Sequence, residues 1–120
     1  MTIFLTNSFS PSMLKLLKHR QVTVKFEEID DKEFCETIKN AKDLINAVGH
    51  KATVDLINTM CSTQLKENRI SITANKGDII IALILTVRLE EGKVLRENEI
   101  MQFLNEGKIK FVKAEVGEEE

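Results

Sequence analysis

The sequence predicts one α/β domain, a central and mostly mixed β-sheet flanked by helices. Three observations point there. Residues 78–87, DIIIALILTV, are apolar on both faces, as a central strand requires. Segments such as VTVKF (22–26) and KIKFVKAEV (108–116) alternate with the period of half-buried strands. Between these lie stretches with helical spacing and helix-start chemistry. The 120 residues suit a single core. With six Phe and no Trp or Tyr, that core must be mostly Ile, Leu and Val.

The elements follow in order. Residues 2–6, TIFLT, predict a short strand. In NSFSPSMLKLLK, Ser10 suits an N-cap, and Pro11 suits the first helical position, where its missing N–H costs nothing. A helix is expected over 11–18, with His19 a structural residue at its dipole end. Val22, Val24 and Phe26 alternate with Thr23 and Lys25 as a strand. Asp30, with Glu33 three residues on, has capping-box spacing and opens a helix to about Ile38. AKDLINAVG, 41–49, fits either a brief strand or a loop running to Gly49.

Over 50–61, apolar Ala52, Val54, Leu56, Ile57 and Met60 follow the helical period, with Asp55 and Asn58 on the wet side. KENR turns the chain, RISITA (69–74) alternates as a strand, and NKGD connects it, hairpin-like, to the central strand. RLEEGK closes that strand, RENEIMQFLNEG forms a helix ending at Gly107, and KIKFVKAEV is the last strand. GEEE, 117–120, is expected to be a frayed, flexible acidic tail on a domain spanning 1–116.

The bulk numbers exclude some functions. A net charge of −2 argues against a general DNA or RNA coat, which needs a broad basic face, but leaves room for a small anionic ligand. The first ten residues lack a basic n-region and a long apolar run, so no signal peptide is expected. The longest apolar run, 79–85, is too short to cross a membrane. A cytoplasmic location follows. Cys35 and Cys61 form no CxxC pair and are expected as reduced core thiols. Two His and two scattered Cys offer no metal-ligand spacing, so neither metal nor cofactor is expected.

The first functional signal is His50, placed after Gly49 where a helix begins. Gly49 permits a positive φ or a close backbone approach. The first helical amides then point outward without partners and carry partial positive charge, a ready phosphate site. Thr53 lies in that first turn, and an imidazole beside a bound phosphate can protonate a leaving alkoxide. The alternative is a solvated histidine or a local cap.

The second signal is Arg88, at the carboxyl end of the central strand, where ligands of open α/β sheets gather. Its guanidinium can hold phosphate through two hydrogen bonds, and Glu91 can orient it or accept a proton. The alternative is a surface Arg–Glu pair of little consequence. Arg69 either reaches an anion or is a surface charge. Asn7 and Ser10 form a small polar cluster after the first strand, whose alternative role is capping alone.

LTNSFSPSML, INAVGHKATVDLINTMCSTQLKENRI and RLEEGKVL resemble the viral ring nucleases, anti-CRISPR proteins acting against type III immunity in archaeal viruses, phages and bacterial mobile elements. The resemblance runs from Ile3 to Phe111. It implies a metal-independent homodimer with a mixed sheet flanked by helices. Such a dimer binds cyclic tetraadenylate across its face and cuts it to linear oligoadenylates ending in a 2′,3′-cyclic phosphate. By the same resemblance His50 is the catalytic histidine, Arg88 the transition-state arginine and Glu91 the helper glutamate. Asn7, Ser10, Thr53 and Arg69 contact the ligand, beside the amides near Gly49. The chain departs from the pattern at Val87, where a glutamine often precedes the arginine, and at Lys51 and Ala52, which replace acidic and hydroxyl residues of some members.

Overall fold

A computed structural model of the chain describes every residue except Leu17, Glu91 and Glu120, and all but the side chain of Glu119. Five strands build one sheet: β1 (Ile3–Thr6), β2 (Val22–Ile29), β3 (Leu44–Asn46), β4 (Ile79–Leu85) and β5 (Ile109–Glu119), in the order β2-β5-β4-β1-β3. β1 pairs parallel with both β3 and β4, whereas β5 pairs antiparallel with β4 and β2. The sheet is therefore mixed, and β4 lies at its centre, as its two apolar faces require.

Alternation along the strands divides the core between two faces. Ile3 and Leu5 of β1, Ile81 and Leu83 of β4, and Ile109 and Phe111 of β5 pack with the helices α1 (Asp31–Asn40), α2 (Lys51–Cys61) and α3 (Glu97–Asn105). Phe4, Ile80, Ala114 and Val116 face the other way, against Ile72 and Ala74, with Phe9, Met13 and Leu14 packed beside them. The helices thus cover one face, and irregular segments cover the other.

α1 begins as its sequence dictates, with the Asp30 side chain accepting the Glu33 N–H at 2.8 Å. Phe34 and Ile38, one turn apart, are its buried residues. The helix runs two residues past the expected Ile38. The ambiguous stretch before Gly49 resolves as the short edge strand β3.

Five expectations fail, each for a tertiary reason. The helix expected over 11–18 is a single 3-10 turn, Pro11–Met13. Ser10 caps it, accepting the Ser12 N–H at 3.3 Å, but Leu14 then turns extended and bridges to Ala74. The strand expected over 69–74 is absent for the same reason, since only Ala74 finds a ladder partner. NKGD therefore makes a turn, with Gly77 at φ +91°, but joins no hairpin. β5 continues to Glu119, which pairs with Val22, so backbone pairing reaches into the expected tail as far as Glu119.

The fifth correction concerns the cysteines. Cys35 and Cys61 are not separate reduced thiols; they form a disulfide with Cα atoms 5.1 Å apart, within the range such bonds span. Packing of α1 against α2 brings together two residues 26 apart in sequence, a proximity that no local spacing encodes.

Candidate functional site

Because β1, β3 and β4 are parallel, their carboxyl ends share one edge of the sheet. β3 leaves that edge through Val48 and Gly49 to His50, the N-cap of α2. β4 leaves it toward Val87 and Arg88. Between these two exits lies a cavity of about 540 Å³. That volume falls in the range of small-molecule sites.

The cavity gathers five of the residues singled out by sequence: Gly49, His50, Thr53, Arg69 and Arg88. His50 takes extended backbone angles, and its carbonyl accepts the Val54 N–H at 3.1 Å, the first bond of the helix. Its side chain makes no capping bond and is exposed. The local-cap alternative is thereby set aside, and the first-turn amides of α2 gain no side-chain partner from this residue.

Thr53, one turn in, is only 4% exposed. Among the described residues its hydroxyl makes no hydrogen bond, an uncommon condition for a buried polar group. Arg69 and Arg88 are exposed and take no ion pair among the described residues.

Gly49 serves the site by close approach, not by positive φ. A Cβ placed there would lie 3.1 Å from Arg69 Cβ, 3.2 Å from its Nε and 3.3 Å from its Cγ. The Arg69 side chain therefore lies flat across the glycine. The backbone that carries Arg69 is tied down: Asn46 Nδ2 donates to the Lys66 carbonyl at 2.7 Å, Asn68 N–H to the Val48 carbonyl at 2.8 Å, and Asn68 Nδ2 to the Asn46 carbonyl at 2.8 Å. Asn46 also accepts the Val48 N–H at 3.0 Å. Two asparagines thus bind the 66–69 segment to the turn that presents His50.

Two proposed residues stand apart. Asn7 and Ser10 do not line the cavity, although they follow β1 at the same sheet edge, and the Ser10 hydroxyl is engaged with Ser12. Glu91 lies outside the described residues. Sequence reasoning in turn missed Glu67 and Lys93, which line the cavity. No local signal marked Glu67, which the sequence places in the KENR turn. Lys93 follows Gly92, whose φ of +76° turns the chain after Arg88.

Among the described lining residues the charges are mostly cationic, with two carboxylates, Asp55 and Glu67. Lys51 Nζ bonds Asp55 Oδ2 at 2.9 Å, and that hydrogen bond holds the Lys51 ammonium above its usual pKa. Lys93 pairs with Glu99 Oε2 at 3.3 Å. Among the described residues, no group of three His, Cys, Asp or Glu side chains is placed to hold a metal, and no helix is long and apolar enough to cross a membrane.

Comparison with known proteins places the chain. Residues 3–112 match the model of the STIV B116-like family, so the chain belongs to that family. It is 43% identical over 113 residues to ORF116 of Acidianus filamentous virus 1, covering 94% of each chain. It is 31% identical over 100 residues to protein 26 of Sulfolobus islandicus filamentous virus, covering 83% of this chain and 81% of that one. Among solved structures it resembles B116 of Sulfolobus turreted icosahedral virus, with a TM-score of 0.89 and 39% identity over 96% of this chain and 99% of that one. The chain is thus a protein of an archaeal-virus family. Intracellular proteins of hyperthermophilic archaea are an exception to the rule that disulfides mark oxidising compartments.

Proposed function

We propose that this member of the STIV B116-like family is a metal-independent ring nuclease. It binds cyclic tetraadenylate and cuts it to linear oligoadenylate ending in a 2′,3′-cyclic phosphate, switching off type III CRISPR signalling in the host cytoplasm. The observation that carries this reading is the convergence of His50 and Arg88 on one cavity, from the start of α2 and the end of β4. The resemblance of the surrounding motifs to viral ring nucleases supplies the substrate.

The chemistry needs only groups of the chain and of the substrate. The ribose 2′-oxygen forms a new bond to phosphorus and its proton leaves, while the bond from phosphorus to the 5′-oxygen breaks. The nucleophile is internal, so no metal-bound water is required. His50 in its protonated form gives its proton to the departing 5′-oxygen, worth about two to four powers of ten. Arg88 and the first-turn amides of α2 stabilise the added negative charge on phosphorus, worth about two to three more. Glu91 takes the 2′-hydroxyl proton or orients Arg88.

Arg69, held against Gly49, and the unpartnered Thr53 hydroxyl anchor phosphate or ribose. A ring of four nucleotides extends beyond one such cavity. A two-fold pair of chains would offer two His50 side chains to opposite phosphates, with Asn7 and Ser10 contacting the ring outside the cavity.

Labelled cyclic tetraadenylate incubated with the protein in EDTA, with products resolved by size, tests the proposal. Linear fragments with cyclic phosphate ends are expected. An intact ring that co-elutes with protein would make the protein a sponge, and an intact ring with no binding would make it a structural or regulatory protein. Either result overturns the nuclease assignment.

A further inference from the structure

A carboxylate that takes no part in the cleavage step weakens a polyanion site unless it meets a donor, and Glu67 lines this one. Of the two carboxylates among the described residues of its wall, Asp55 is neutralised by Lys51 at 2.9 Å. Glu67 takes no hydrogen bond and no ion pair among the described residues, and its attraction to Lys51 acts only at longer range. Its backbone is nonetheless fixed from both sides. The Lys66 carbonyl accepts from Asn46 at 2.7 Å, and Asn68 donates through its N–H to Val48 and through its side chain to Asn46, each at 2.8 Å. The backbone between two such anchors is fixed before ligand arrives, and the exposed Glu67 side chain extends from it at the cavity wall.

A preorganised acceptor beside phosphate-binding cations must meet a donor on the ligand. Phosphates offer none; the ribose 2′-hydroxyls and the exocyclic amine of adenine do, and carboxylates accept from such amines in base recognition. We infer that Glu67 reads the base, accepting a hydrogen bond from the adenine 6-amino group and so selecting adenine-containing rings. This rests on the ring-nuclease reading and adds a specificity determinant to the same site.

The sign of the effect separates this role from a passive surface charge. Removing a passive carboxylate from an anion site tightens binding of every cyclic oligonucleotide through Coulomb attraction. Removing a base-reading carboxylate weakens binding of the adenine ring alone. The probes are cyclic tetraadenylate and the matching ring of purine ribonucleotides lacking the 6-amino group, each titrated against wild type, Glu67→Ala and Glu67→Gln. Wild type is expected to prefer the adenine ring by about tenfold or more, the worth of a hydrogen bond to a charged group. Glu67→Ala is expected to lose that preference, with affinity for the amine-free ring equal or higher. Glu67→Gln, which keeps a neutral acceptor, is expected to fall between.

A general folding defect would weaken both rings alike and leave the ratio untouched. An unchanged preference in Glu67→Ala, or tighter adenine binding, overturns the assignment while leaving ring cleavage intact. Failure of the wild type to bind either ring overturns the ring-nuclease reading itself, and this inference with it.

Discussion

The two ends of α2 are built on opposite terms. At its carboxyl end the turn is tied down by backbone and side-chain hydrogen bonds. Ser62 takes a left-handed φ of 57° and donates its N–H to the Asn58 carbonyl. The Asn58 side chain accepts from Thr63 Oγ1 at 2.8 Å and Leu65 N–H at 2.9 Å, and donates to the Leu65 carbonyl at 2.9 Å. Cys61, 2% exposed, is crosslinked to α1. At the amino end the N-cap side chain makes no capping bond, the Thr53 hydroxyl has no partner among the described residues, and a cavity opens. A helix pinned at one end can leave donors unsatisfied at the other without fraying, which is what an anion site at a helix start needs.

That contrast can be broken from either side. The largest effect belongs at the open end. Arg88→Ala is expected to slow single-turnover cleavage of cyclic tetraadenylate by about two to three powers of ten, with the melting temperature unchanged because the side chain is exposed. At the closed end, Cys61→Ser is expected to lose about 3 kcal/mol, the stabilisation from crosslinking residues 26 apart. For a chain of 120 residues this is a fall of roughly 10 °C in melting temperature, measurable by calorimetry, with the cleavage rate at ambient temperature retained.

Smaller effects sharpen the picture. Gly49→Ala sets a methyl group against Arg69 and is expected to weaken ligand binding on the order of tenfold, one charge-assisted hydrogen bond, as measured by titration. Glu99→Gln tests the support under Lys93. The Arg96 N–H, and then Lys93, hold the Glu99 carboxyl below its usual pKa. A depressed folded pKa stabilises α3 above the ordinary carboxylate value of about 4.3 and loses that stabilisation as pH falls through the folded value. Thermal melts across the acid range are therefore expected to show a slightly flatter limb in the variant than in the wild type.

The fold was legible where local chemistry decides it. Asp30 and Glu33 mark the start of α1, the doubly apolar run marks β4, and Gly107, at φ +71°, marks the turn after α3. It was illegible where tertiary partners decide. In 71–74 the alternation is real, since Ile72 and Ala74 are buried while Ser71 and Thr73 are exposed, although Ile70 is exposed as well. A period of two reports an extended chain with one covered face, not a neighbour to pair with. Asn58 read as a wet-side residue because nothing local shows the returning segment it clamps.

The site follows the same division. His50 and Arg88 were placed by position alone, at a helix start and a strand end, and the parallel strands bring them to one edge. Asn7 and Ser10 share that edge but not the cavity, because the chain after β1 turns onto the opposite face, where Phe9 packs.

The most direct measurement of the central claim is the single-turnover rate of cyclic tetraadenylate cleavage in EDTA by His50→Ala, taken beside its binding affinity. Loss of the proton donor is expected to lower the rate by about two to four powers of ten with binding preserved. A rate equal to that of the wild type would contradict the account.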